Sequence, residues 1–232
     1  MITKRTPLDR LVVAVDGPAG AGKGAVCRWV ALQYDFEYLD TGAIYRAVAL
    51  LSLQHGGLAD QPDRLATMAR EMAFVFSPVD GRFVASLDGA DVTLALRQET
   101  VSMEASRVAA LGPVRSALLD FQRNYGGKKN ILLDGRDIGT VVWPEAQRKI
   151  FLTASLEERA KRRALELQEK GETVSLPGLL AEMKLRDARD MARAHAPMVP
   201  ADDAIIVDTT FMTLEESQHQ VAALIAPLYQ ER

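Results

Sequence analysis

The residues of this chain that most directly imply chemistry are a glycine-rich run ending in lysine, GPAGAGK, from Gly17 through Pro18, Ala19, Gly20, Ala21 and Gly22 to Lys23. The pattern G-x-x-x-x-G-K places small residues where consecutive backbone N–H groups must converge. It also places a mobile positive charge where it can reach a phosphoryl group. An apolar strand-like run precedes the loop and an amphipathic helical pattern follows it, so the positive end of that helix would add to the cradle. This context makes an ordinary strand-to-helix turn the weaker reading, and nucleoside triphosphate binding the stronger one. The hydroxyl residue that normally follows the lysine and touches magnesium is replaced by Gly24, and Ala25 withholds a hydroxyl at the next position too. Magnesium is then left to the nucleotide's phosphates and water, with help from a carboxylate at the end of another strand. Asp134, closing the run NILLD, suits that role, and its other reading is a cap on the following turn.

Triphosphate binding alone does not separate a switch, a motor and a kinase. Arginines and acids gathered beyond other strand ends narrow the choice. YLDTGAIYRA puts Asp40 and Thr41 at a strand end and Arg46 a turn or so into the next helix, and DGRDIGTVVWP puts Arg136 and Asp137 just past Asp134. LRDARDMARAHAP spaces Arg186, Arg189 and Arg193 at i, i+3 and i+7, so a helix would carry all three on one face, with Asp187 and Asp190 holding neighbours in register. Two readings of that face stay open on spacing alone, a phosphate clamp and a salt-bridged solvent face.

The elements that must hold these residues are legible as alternating patterns. Five short branched runs, LVVAV (11–15), FEYL (36–39), NILLD (130–134), KIFLT (149–153) and AIIVD (204–208), read as strands buried on both faces. Helical segments lie between them. SLEE at Ser155–Glu158 and TLEE at Thr213–Glu216 each read as a capping box, and Gly171 reads as the C-terminal stop of the first of these helices and as a candidate pivot. Strand, helix, strand in this rhythm predicts an α/β fold, a three-layer arrangement around a five-stranded parallel sheet. The stretch from 72 to 93 breaks the rhythm with two alternating runs and two Asp-Gly pairs, predicting a small antiparallel insertion over about 68–106 within a single domain spanning 1–232.

Composition excludes several classes. With 28 basic against 31 acidic side chains the formal charge is −3, which gives no broad field for nucleic acid, so any anion must meet local positive charge. The single cysteine, Cys27, cannot form an internal disulfide and reads as a small buried side chain. No apolar run approaches a bilayer span, and the opening MITKRTPLDR lacks the apolar core of a secretory signal, so a cytoplasmic protein without membrane partners is expected. His55, His195 and His219 are isolated and read as surface or packing residues. The last apolar stripe is enough to pack on the sheet, which makes a monomer the default expectation.

Taken together, DGPAGAGKG, LDTGAIYRA, DGRDIGTVV, KIFLTASLEERAKRR and RDARDMARAHAPMVPADDAIIVDTT resemble the bacterial cytidylate kinases, in order and with matching gaps, over about 11–210. The resemblance implies a P-loop nucleoside monophosphate kinase fold whose insertion is an enlarged monophosphate-binding region, with residues 155–175 as a helical lid. It implies that ATP, with Mg2+, donates a phosphoryl group to CMP or dCMP. Residue by residue, it implies that Thr41, Arg46, Arg136 and Arg193 surround the acceptor's phosphate, beside Asp40, and that Ser106, Arg115 and Asp137 recognise cytosine. Arg186 and Asp190 would face the sugar, and Arg159, Arg162 and Arg163 would be available to the donor's phosphates. Lys23, Arg136, Arg159, Arg163 and Arg193 would be the catalytic cations. Relatives with the GKG form usually follow it with threonine, so Ala25 departs from the pattern and implies weaker ATP binding. Two rivals remain at this stage: a nucleotide switch, for which no N/T-K-x-D motif is present, and a kinase for another acceptor.

Overall fold

A computed structural model describes residues 10–230 apart from 81, 170 and 172. Most of the opening segment, the glycine of the first Asp-Gly pair and two positions of the expected 155–175 lid therefore lie outside the described residues. The chain divides into two compact units, Met1–Glu37 with Lys128–Arg232, and Tyr38–Gly127. In chain order the elements are β1 (Val12–Asp16), α1 (Lys23–Gln33), β2 (Glu37–Asp40), α2 (Thr41–Gln54), α3 (Pro62–Glu71), β3 (Phe74–Val79), β4 (Arg82–Leu87), β5 (Ala90–Asp91), α4 (Glu99–Val108), α5 (Gly112–Asn124), β6 (Ile131–Gly135), β7 (Arg148–Thr153), α6 (Leu156–Gln168), α7 (Leu176–Met191), β8 (Ile205–Asp208) and α8 (Leu214–Ile225).

The five-stranded parallel sheet runs in the order β2-β6-β1-β7-β8, and β1, β6, β7 and β8 lie in the first unit. All five strand readings hold to within a residue at each end. β1 and β6 are buried along their whole length, which is why their sequences run apolar without alternation. β8 corrects the expectation of burial on both faces: it is an edge strand, Ile206 is 53% exposed, and Val207 alone in it is buried. Parallel strands bring their C-terminal ends to one edge of the sheet, so the chain leaves β1 at Asp16, β6 at Gly135, β7 at Thr153 and β8 at Asp208 on the same side. Ligands of open α/β sheets bind at that edge.

The capping readings divide. Thr213 and Glu216 form a reciprocal box at the start of α8, each side chain accepting the other's backbone N–H at 3.2 and 2.7 Å. At α6 only the Ser155 half is made, its Oγ accepting the Glu158 N–H at 3.2 Å. The Glu158 carboxylate is drawn instead to the Arg162 guanidinium, 3.0 Å away, because a charged partner one turn on outbids a backbone N–H. Beyond α6, Gly171 takes a left-handed φ of 80° and returns its N–H to the Gln168 carbonyl, ending the helix as read. α6 and α7 share a small apolar cluster of their own, Ala160, Leu179 and Met183 with Leu156, Ala164, Val174 and Leu180 around them.

The second unit holds a three-stranded antiparallel sheet, β3-β4-β5. Asp88 and Gly89, both at positive φ, make the two-residue turn between β4 and β5 that the second Asp-Gly pair implied. Phe76 stacks on Phe83, and Tyr38 meets both rings edge-on at 5.6 and 5.0 Å. The strands stop at Asp91. From Glu99 the chain is helical, because Val101, Ala105 and Val108 recur at helical spacing and are buried on one face.

One contact in the first unit permits no side chain. Gly17 sits at φ 142°, and a Cβ there would lie 2.0 Å from the Leu152 carbonyl oxygen of β7. Gly22 also has positive φ, at 88°, but a Cβ would meet nothing within 4 Å. Gly22→Ala should therefore cost about 1–2 kcal/mol, the ordinary penalty of a left-handed residue, and Gly17→Ala distinctly more, because backbone must move. Urea unfolding of the two variants measures the difference; equal losses would mean that β1 and β7 separate freely at this point.

Candidate active site

The phosphate loop leads directly into α1. Gly22 is its N-cap, no side chain caps the helix, no acid sits in its first turn, and its first internal bond runs from the Val26 N–H to the Gly22 carbonyl. The N–H groups of Lys23, Gly24 and Ala25 thus stand ahead of the helical ladder, where an anion can take them. Gly24 and Ala25 contribute only backbone, as their side chains require. Lys23 does not reach outward in this structure. Its ammonium folds back and donates to the Gly17 and Pro18 carbonyls at 2.8 and 2.9 Å, within a buried pocket of the loop. Burial, reinforced by the positive charge of Arg136, pushes Lys23 down to about 7, against the pull of Asp134 and Asp16.

Two buried acids flank that lysine. Asp134 ends β6 as the sequence indicated and is paired in register with Val15 of β1. Asp16 ends β1, and its two carboxylate oxygens each accept a backbone N–H, from Ile138 and from Gly139, both at 2.8 Å. Burial raises the Asp16 carboxyl to about 6 despite those two bonds. Asp137 is buried beside them, and its carbonyl closes the single π turn Ile138–Val142 by accepting the Val141 and Val142 N–H groups.

The arginines are arranged as a lattice with aspartates. Arg136 donates Nε to Asp190 Oδ2 at 3.1 Å and Nη1 to its neighbour's carbonyl, while Arg193 donates Nη2 to Asp190 Oδ1. Asp190, 2% exposed, therefore bridges two guanidiniums. The helical-face reading of Arg186, Arg189 and Arg193 needs correction, because α7 ends at Met191. Arg186 and Arg189 are on the helix and Arg193 lies beyond it, returned by its bond to Asp190. Arg159 is buried, with Nε on the Ala154 carbonyl, Nη1 on the Ala19 carbonyl of the phosphate loop and Nη2 on Asp187 at 2.7 Å. Arg162 holds Glu158 and the Thr209 carbonyl, and the Thr209 hydroxyl in turn reaches the Ala21 carbonyl. Arg163 is on the same helix, with Glu166 at 3.3 Å. The structure thus brings Lys23, Asp134, Arg136, Asp137, Arg159, Arg162, Asp190 and Arg193 to the strand-end edge of the first unit.

In the second unit, Asp40 is the N-cap of α2, accepting the Ala43 N–H at 3.0 Å and the Arg46 guanidinium at 2.8 Å, with Thr41 buried in the first turn. Gly42 leaves room for this pair, since a Cβ there would lie 3.0 Å from Asp40 Oδ1. Ser106 is buried on α4. Arg115 on α5 donates to the Ala109 carbonyl and lies over the Tyr45 ring at 5.7 Å.

Three contributors escaped the sequence reading. Asp16 was legible only as the residue before the loop, although an acid closing an otherwise apolar buried strand is a signal that it has partners to meet. Asp187 was read as a neighbour-pairing acid on its own helix, whereas it takes Arg159 from α6. Thr209, 1% exposed, ties the end of β8 to the loop and carried no local signal at all. The three histidines stay outside the lattice: His219 meets Trp29 edge-on, His55 hydrogen-bonds within its own helix end, and His195 is exposed.

The family model for cytidylate kinase matches residues 13–227. The cytidylate kinase of Magnetococcus marinus is 54% identical over 224 residues, covering 96% of this chain and 99% of that protein. Those of Vibrio cholerae and Saccharophagus degradans are 46% and 43% identical, each covering 92% of this chain and 95% and 96% of theirs. A glycine loop uncapped toward an anion, arginines held ready by aspartates, and likeness over nearly the whole length agree, and the chain belongs to the cytidylate kinase family.

Proposed function

We propose that this chain transfers the γ-phosphoryl group of ATP to CMP or dCMP, giving ADP and the cytidine diphosphate, and that its residues divide the work as follows. The loop from Gly17 to Ala25 receives the donor's phosphates on its backbone N–H groups, with Lys23 and Arg162 adding charge. Arg136, Arg159, Arg163 and Arg193 complete the positive surround of the transferred group. Thr41, Arg46, Arg136 and Arg193 take the acceptor's phosphate and Asp40 orients Arg46. Ser106, Arg115 and Asp137 read the cytosine, and Arg186 and Asp190 face the sugar. Residues 68–106 act as the monophosphate-binding subdomain and 155–175 as the lid, and the protein works as a cytoplasmic monomer. The observation that carries the reading is the Asp190 bridge, which holds two guanidiniums together where a dianion can take one or both over.

No general base is needed. The acceptor's second phosphate pKa is about 6, so its attacking oxygen is largely ionised near neutrality. Bringing two polyanions into line is then a matter of positioning and neutralisation. Closure over the reacting groups would exclude water, whose attack would waste ATP.

Among the described residues no three His, Cys, Asp or Glu side chains gather into a metal cage. Magnesium that travels with a nucleotide needs only one or two carboxylates, the rest of its shell being phosphate oxygen and water. Asp134, buried at the strand end and near enough to act on Lys23, fits that need and would hold it through water. When bound, the ion supplies neutralisation between the β- and γ-phosphates.

Steady-state turnover with ATP and a panel of CMP, dCMP, UMP and AMP tests the function: CMP and dCMP should lead by at least about tenfold in kcat/KM, as expected where polar groups of a site read the base. A lead for AMP or no turnover would end the reading. The missing hydroxyl is tested by Ala25→Thr, which should lower KM for ATP by about tenfold, the scale of one hydrogen bond to a charged group. Lys23 makes a third prediction. Its ammonium is held near pKa 7 without ligand and phosphates favour the charged form, so at pH 8 ATP binding should take up close to one proton. Calorimetry in buffers of different ionisation enthalpy reads the proton count. Lys23→Met should abolish the uptake, and no uptake in the unaltered protein would mean that its lysine is already charged.

A further inference from the structure

Among the described residues, Asp16 is the one buried acid at the strand-end edge for which the reaction above has no use. It contacts neither the phosphate-receiving N–H groups nor an arginine in the lattice. Both of its oxygens are instead spent on backbone 122 and 123 residues away, the N–H groups of Ile138 and Gly139 at 2.8 Å each. We propose that Asp16 is a positioning residue for the acceptor: from the end of β1, next to the first glycine of the phosphate loop, it holds the segment that carries Arg136 and Asp137 in register with that loop.

The geometry around it is specific to this task. Gly139 packs against the Lys149 stem, where a Cβ would meet Cδ and Cγ at 3.1 and 3.2 Å, and it would also lie 3.5 Å from Asp16 Oδ2. Lys149 in turn is buried and anchored on Asp203 at 2.8 Å. The segment 138–139 is thus gripped between the Asp16 carboxylate and the lysine stem. Its far end is closed by the π turn on the Asp137 carbonyl. Asp137 and Arg136 precede this clamp by one and two residues, so a shift of the clamped backbone passes directly to both side chains. A displacement of about 1 Å in such a site lowers turnover by about a hundredfold.

An ionised aspartate suits the position where the nearest isostere does not. Two N–H donors converge, and only a carboxylate offers an acceptor to each; an asparagine would turn its own NH2 toward one of them. With its carboxyl raised only to about 6, Asp16 remains mostly ionised at neutral pH and accepts both bonds.

This inference rests on the acceptor roles proposed for Arg136 and Asp137, and the experiment separates the two. Asp16→Asn should raise KM for CMP by about tenfold or more and lower kcat, with KM for ATP within about twofold, a split that a general loss of stability would not produce. Equal changes for both nucleotides, or a fall in kcat alone in proportion to the folded fraction, would overturn it. Asp137→Asn is measured alongside. If it raises KM for CMP while Asp16→Asn does not, the positioning role is wrong and the acceptor assignment stands. If neither variant does, the assignment itself is wrong and the positioning role goes with it. Should Asp16→Asn not fold, amide hydrogen exchange in the unaltered, nucleotide-free protein decides: Ile138 and Gly139 should be protected by about a hundredfold or more, and exchange at the rate of an open loop would refute the clamp.

Discussion

Cations gathered at one edge of a sheet repel one another, and the first unit is organised around that constraint. Every guanidinium or ammonium brought to its strand-end edge is held by an oxygen of the protein itself. Asp190 bridges Arg136 and Arg193, Asp187 takes Arg159, Glu158 takes Arg162, and the loop's own carbonyls take Lys23. A buried charge without such a partner would be strongly destabilising.

The arrangement also shapes what ligand binding must do. Lys23 is withdrawn into the loop and its charge is suppressed by burial and by Arg136, so the loop is less positive than its sequence suggests. A phosphate beside Lys23 would offer it better acceptors than the Gly17 and Pro18 carbonyls and would favour its charged form. The loop itself is held by contacts from other elements: the close approach of Gly17 to Leu152, the Arg159 bond to Ala19 and the Thr209 hydroxyl on Ala21.

The second unit shows the same preference for groups organised in advance. Asp40 both caps α2 and holds Arg46, and Arg115 rests over Tyr45. A buried bond from Ser52 to Glu104 at 2.7 Å, with the Leu58 N–H on the same serine, joins α2 to α4. Side chains held in place beforehand lose less entropy when a ligand arrives.

How much of this the amino-acid order determined by itself depends on how local the cause was. The phosphate loop, the five strands, the Asp88–Gly89 turn and the Thr213 box were all legible, because glycine spacing, branched apolar runs and capping chemistry act within a few residues of chain. The family was legible because several such segments stand at matching gaps. Tertiary structure decided the rest. That Arg193 leaves the helix, that Asp187 serves α6 rather than α7, that β8 is half-exposed at an edge and that Asp16 reaches backbone more than a hundred residues away are outcomes of which elements become neighbours. Hydrogen bonds and ion pairs form between whatever groups packing brings within about 3 Å, and no local pattern records what will arrive from the other end of the chain.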